Sequence, residues 1–188
     1  TAQGIRFSSK SDSEILLRLY QQQGLEQTLP MLRGEFAFAL FDRREDCLYL
    51  VRDRFGVKPQ YWAMTPDGLV FGSELKVLFA HPEVERRFTS DGLFHQLMQT
   101  MVPGTTAFAG VHQVKPGHVL KVQRTAGRLE VSEWAYWDVN FPRQADRDRS
   151  LDEAHHIASV RSALLEAVEL RMVADVPVGC YLSGGIDS

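Results

Sequence analysis

Apolar and polar positions alternate along this chain with two different periods, and the change of period marks its elements. After Ser11-Asp12-Ser13-Glu14, the apolar residues Ile15, Leu16, Leu19 and Tyr20 recur at three- and four-residue steps until Gly24. That pattern predicts an amphipathic helix to about Gln23, with the serine–aspartate pair at its start and the glycine at its stop. The period then falls to two. Leu32–Asp42 and Cys47–Val51 flank the polar turn Arg43–Asp46, and Tyr61–Met64 and Leu69–Phe71 flank Thr65-Pro-Asp-Gly68. These read as two hairpins, and four strands in succession suggest one antiparallel sheet. A short helix is expected over Glu74–Ala80, capped by Ser73 and ended by His81-Pro82. Another is expected over about Gly92–Met101, with Leu93, Phe94, Leu97 and Met98 as its core stripe. A turn-rich stretch leads to a strand at Val119–Gln123, and Ala126-Gly127 turns it toward Leu129–Val131.

Beyond Phe141 the pattern breaks. Phe141–Ser150 is charged, proline-marked and without periodicity, which is the composition of a linker. Leu151–Ala174 resumes helical spacing through Ile157, Val160, Leu164 and Val168. Val176–Leu182 is then a short apolar run of the kind that forms a buried strand.

Composition narrows the function classes. The chain has 188 residues, 44% of them apolar, enough for one good core and the beginning of a second. A formal net charge of −3 gives no basic field for nucleic acid or an anionic membrane. No apolar run approaches the roughly 18 residues of a membrane span, and no signal peptide opens the chain, so the cytoplasm is the expected location. Cys47 and Cys180 lack metal or disulfide spacing, and the first is expected at a hairpin edge, the second in a buried strand. The adjacent His155 and His156 point to different helix faces, and no structural metal is expected.

The chemistry concentrates at the C-terminal end. Ser183-Gly184-Gly185-Ile-Asp187-Ser188 follows the predicted strand, and its paired glycines allow a sharp turn whose N–H groups converge on an anion. No Gly-Lys-Ser/Thr follows, so it is not a Walker A loop. Asp175–Ser188 resembles the SGG-x-DS pyrophosphate loop of the glutamine-hydrolysing asparagine synthetases, a family joining a class II glutamine amidotransferase to an ATP-pyrophosphatase-type synthetase domain. Three further stretches resemble class II amidotransferases in family order. They are Phe7–Glu14 (F-x-T-x-S-D-x-E), Arg52–Trp62 (RD-x-x-G-x-K/R-P-L-Y, with Gln60 where leucine is usual) and Phe71–Lys76 (F-x-SE-x-K). The segment ending in Pro116-Gly117-His118 and the Trp134–Asp138 stretch resemble family segments as well.

The resemblance implies an α+β protein. Residues 1–140 would be the later part of an N-terminal-nucleophile αββα glutaminase domain, 141–150 the linker, and 151–188 the first helix–strand unit of an α/β ATP-pyrophosphatase domain. It assigns Asp12 to the α-ammonium of substrate glutamine, a task suited to a carboxylate. It places ATP at Leu182, Ser183, Gly184, Gly185, Asp187 and Ser188, with Leu182 at the adenine or ribose and Asp187 orienting the loop or helping place Mg²⁺. The Arg52–Trp62 and Phe71–Lys76 stretches are expected to shape the site rather than to react.

The implied parent enzyme amidates aspartate with glutamine-derived ammonia through a β-aspartyl-AMP. Its substrates would be glutamine, aspartate and ATP, with Mg²⁺ as cofactor and a homodimer among the expected assemblies. In the family the nucleophile is an N-terminal cysteine far upstream of the serine–aspartate segment. Thr1, Cys47 and Cys180 occupy no comparable position, so the chain is expected to be an internal fragment that does not hydrolyse glutamine by itself. An amidotransferase for another carboxylate, on a sugar, lipid or peptide, and a non-catalytic binding module are the alternatives. Purine and glucosamine amidotransferases lack the SGG-x-DS loop and are disfavoured.

Overall fold

The computed structural model describes residues 7–9, 11–100, 102–146, 150 and 152–186. The chain divides into two compact units, Thr1–Val139 and Asn140–Ser188.

The first unit is built on two antiparallel sheets. Strands β1 (Ala37–Asp42), β2 (Cys47–Arg52), β6 (His118–Thr125) and β7 (Arg128–Ala135) form one sheet in the order β1-β2-β6-β7. Strands β3 (Tyr61–Thr65), β4 (Gly68–Gly72) and β5 (Val111–Gln113) form the other in the order β4-β3-β5. The two predicted hairpins therefore fall in different sheets, not in one. Each hairpin buries only two strands' worth of apolar face, and each needs a third partner. β2 takes β6, some seventy residues later, through Val51↔Val119 and Leu50↔Leu120, and β3 takes β5 through Ala63↔Val111.

The period of two sorts the side chains into layers. On β2, Cys47, Tyr49 and Val51 face one way, into a core with Leu25, Leu29, Leu40 and Val119. Leu48 and Leu50 face the other way, into a core with Val114, Leu120, Val122, Trp62 and Leu69 of the facing sheet. The far side of the second sheet, through Ala63 and Val111, packs on Leu78 and Val84. The layers are thus helix, sheet, sheet, helix: α1 (Asp12–Thr28) covers the first sheet and the four-residue α2 (Leu75–Leu78) the second. The αββα architecture follows from these three cores. Cys47 lies at the start of a central strand and is fully buried, not at an open hairpin edge.

Local signals behave as their chemistry dictates, with two exceptions. Ser11 caps α1 by accepting a hydrogen bond from Ser13 N, and Gly24, at φ 78°, breaks the helix into two pieces. Ala126 and Gly127 both take positive φ, the geometry of a tight two-residue hairpin turn. Ser73, however, caps nothing: Glu74 holds the N-cap position of α2 and makes no side-chain cap bond. In α3 (Ser90–Leu97), capped by Thr89, the expected core stripe is open to solvent, with Leu97 75% exposed. Its spacing is helical, but neither sheet lies over that face; Gly92 is the helix's buried residue.

The second unit holds α4 (Glu153–Arg171), capped by the Asp152 carboxylate accepting from His155 N. Ile157, Val160, Leu164 and Val168 form the expected stripe, and all are exposed. The helix–strand unit is half formed. Residues 172–182 contain no strand, and Cys180 is exposed rather than buried. A single strand has no ladder to compensate the entropy of extending it, and among the described residues of this unit no second strand is present to pair with it.

Candidate functional site

Asp12 is the first residue of α1, directly after its Ser11 cap. It is exposed, at the positive end of the helix, with the Ser13 hydroxyl 3.5 Å from Oδ1. A carboxylate there is favoured by the unpaired N–H groups of the first turn, and its oxygens face solvent, where a cationic ligand can reach them.

Two residues on, Glu14 is held far more closely. Ser8 N donates to both its oxygens, at 2.9 and 3.0 Å, and Ser9 N donates at 2.7 Å. The hydroxyls of Ser8 and Ser9 add bonds of 2.9 and 2.8 Å, and Arg18 Nη2 lies at 3.2 Å. The Glu14 side chain is only 10% exposed. The Ser8 backbone N–H first, and then the Ser9 hydroxyl, bring its pKa from an ordinary 4.5 down to about 2. Glu14 and its serine partners, five and six residues upstream, all belong to the Phe7–Glu14 segment, but the pattern gave no sign that they bond to one another.

The charged loop after β2 is organised from its inside. Arg52 and Asp53 are buried, not paired on the surface as a charged loop alone would suggest. Arg52 donates to the carbonyls of Lys58, Gly56 and Val114 and to Gln113 Oε1, at 2.6–3.2 Å. Burial pushes its pKa down. Asp53 accepts three backbone N–H bonds: from Phe55 at 3.1 Å and Val57 at 3.0 Å on Oδ1, and from Lys58 at 2.9 Å on Oδ2. Guanidinium and carboxylate thus bind opposite polarities of one loop. Arg54 reaches the other way, to the carbonyls of Leu32 and Pro30.

The Pro116-Gly117 and Trp134–Trp137 segments close on the same loop. Gly117 N donates to the Asp53 carbonyl at 2.8 Å, and its own carbonyl accepts from Tyr136 N and Trp137 N. A Cβ at Gly117 would meet the Trp137 carbonyl oxygen at 2.6 Å, and φ is +68°, so both space and backbone require glycine. Tyr136 Oη donates to the Arg52 carbonyl, and Trp137 packs its edge on Phe55. Burial pushes the Tyr136 pKa up to about 12, so this phenol is a fixed donor at neutral pH. Gln60, at the position where the resemblance has leucine, is buried; its Nε2 donates to the Phe38 carbonyl across the two sheets, and its Oε1 has no partner.

In the second unit, Ser183–Gly185 form a turn in which Gly185 N donates to Ser183 Oγ at 3.3 Å. Gly184 has φ +80°, and nothing lies within 4 Å of where its Cβ would be. Leu182 is 75% exposed. The turn is exposed and uncrowded, with the Gly185 amide taken by the Ser183 hydroxyl. Asp187 and Ser188 lie outside the described residues. Of the predicted site residues, Leu182–Gly185 come together in this turn, while Asp12 belongs to the first unit.

Residues 1–137 match the family model of the glutamine amidotransferase domain. The chain belongs to that family. Residues 159–188 match the model of asparagine synthase, after the amidotransferase match and in the order of the motifs. An asparagine synthetase of Bacillus subtilis is 37% identical over 100% of this chain, which covers 29% of that protein. The human glutamine-hydrolysing asparagine synthetase is 33% identical over 97% of this chain and 31% of its own length. The amidase chry2 of Gibberella zeae is 41% identical over 100% of this chain and 27% of its own. The chain thus spans less than a third of the length of these relatives. No helix among the described residues is long and apolar enough to cross a membrane.

Proposed function

We propose that this chain is a section of a glutamine-dependent asparagine synthetase, spanning the end of its glutaminase domain (residues 1–140), a linker (141–150) and the start of its synthetase domain (151–188). The observation that carries this reading is the succession, in one chain, of an amidotransferase match over 1–137 and an asparagine synthase match over 159–188. In this reading glutamine binds the first domain with its α-ammonium on Asp12, and ammonia passes to a carboxylate activated as its AMP ester. Adenylation releases pyrophosphate, and the exposed Ser183–Gly185 turn, with its positive-φ and uncrowded Gly184, fits an anionic leaving group. Leu182, Asp187 and Ser188 complete the nucleotide contact, and Mg²⁺ accompanies the ATP. The complete enzyme would act in the cytoplasm, with a homodimer as the assembly to test.

A second reading has its own observation. The Gibberella zeae amidase is 41% identical, against 37% for the Bacillus subtilis synthetase, and is not named as an asparagine synthetase, which keeps an acceptor other than aspartate as the alternative on the same machinery. Aspartate-dependent ATP–pyrophosphate exchange by the complete gene product separates the two. Exchange with aspartate supports the synthetase. Its absence, with glutamine still hydrolysed, moves the assignment to another carboxylate, and loss of both activities leaves the binding-module reading.

A further inference from the structure

We propose that Glu14 is a positioning residue for the amino-acid end of the glutamine site: its carboxylate locks Ser8 and Ser9 onto the first turn of α1 and thereby fixes the Asp12 carboxylate. The proposal rests on the reading that Asp12 receives the substrate ammonium.

The geometry exceeds what helix capping needs. In a capping box the glutamate at the third helical position returns to the N–H of the N-cap residue. Here that N–H, on Ser11, is already taken by Ser9 Oγ at 3.2 Å. Glu14 instead reaches past it to Ser8 and Ser9, using two backbone amides and two hydroxyls. Arg18, one turn along the same helix, holds the carboxylate from below at 3.2 Å. A side chain 10% exposed, with its carboxylate bonded on both oxygens, is a fixed point. Asp12 stands between the Ser11 cap and this point, so the backbone on both of its sides is held while its own oxygens stay open to solvent. An ammonium site gains most when its acceptor is already placed, because ordering it on binding would weaken the ligand.

The consequence is specific. Loosening this lock should cost glutamine affinity and leave the chemical step, which uses other residues, unchanged. Loss of binding equal in ground and transition states appears as a raised KM at constant kcat.

The experiment is steady-state glutaminase kinetics on the complete gene product carrying Glu14→Gln, Asp12→Asn or both, with thermal unfolding alongside. Glutamine keeps one acceptor oxygen and turns its NH₂ toward serine donors. The expected result for Glu14→Gln is a KM for glutamine raised about tenfold, with kcat within about twofold. The double variant should show no KM rise beyond that of Asp12→Asn alone, since the two residues act as one unit. An unchanged KM, a fall in kcat alone, or additive effects in the double variant overturn the proposal. Should Glu14→Gln fail to fold, Ser9→Ala removes a single hydroxyl donor; a smaller KM rise supports the proposal and an unchanged KM overturns it. If Asp12→Asn raises KM and Glu14→Gln does not, only the role of Glu14 falls. If Asp12→Asn is itself silent, the ammonium assignment falls and takes this proposal with it.

Discussion

Removing the Asp53 carboxylate should open the loop that joins the two sheets. Three backbone N–H groups, of Phe55, Val57 and Lys58, point at this one buried side chain at 2.9–3.1 Å. An unsatisfied buried donor costs about 1–3 kcal/mol. Three would total more than a loop can sustain, so part of it will open to water, and Asp53→Ala is expected to cost about 4 kcal/mol. Asp53→Asn is the sharper test. Its carbonyl can replace Oδ1 and keep the Phe55 and Val57 bonds, but its NH₂ then faces Lys58 N–H, donor against donor. One hydrogen bond to a charged group is lost, an expected cost of about 2 kcal/mol. Urea unfolding followed by tryptophan fluorescence reads this directly, because Trp62, Trp134 and Trp137 all belong to the first unit. A cost for Asp53→Asn below about 0.5 kcal/mol, or equal to that of Asp53→Ala, would refute the account of a carboxylate dividing its oxygens between two and one donors.

Gln60→Leu should raise stability by about 1 kcal/mol, seen as a higher urea midpoint, since removing the unpartnered Oε1 outweighs the lost bond to the Phe38 carbonyl; a lowered midpoint would show that the bond to the Phe38 carbonyl is the larger effect. Cys180 should react with a thiol reagent in the native state while Cys47, fully buried and with its thiol pKa pushed up by burial, stays silent until unfolding; equal rates would contradict the burial of β2. Glu14 contributes stability that depends on pH. Its folded pKa, about 2, lies below the ordinary 4.5, so the contribution is full above the ordinary value and is lost as pH falls toward about 2. The thermal midpoints of wild type and Glu14→Gln should therefore differ at about pH 6, draw together below the ordinary carboxylate range and converge only toward about pH 2, and a constant gap across that range would count against the serine contacts.

What the sequence determined by itself is local. Ser11 and Asp12 start a helix because a hydroxyl can accept a first-turn N–H group, and Gly24 breaks it because only glycine enters that backbone region freely. The β-prone apolar run Cys47–Val51 made a strand, and Ser183-Gly184-Gly185 made a turn. Even the depth of the motifs was legible, since the family resemblance and the family matches cover the same stretches. The tertiary structure decided what depends on partners distant in sequence. A period of two says which residues share a face but not which strand lies alongside, so the assignment of two hairpins to two sheets waited on β5 and β6. The same holds for burial. The stripe of α3 and that of α4 are helical in spacing and exposed in fact, Cys47 is buried and Cys180 is not, and Val176–Leu182 stays out of any ladder. Arg52 and Asp53, read from their neighbours, are charges in a surface loop. They are buried because the Val114 carbonyl just after β5, together with carbonyls and amides of their own loop, replaces the water they give up, and the first of these is in place only once both sheets are.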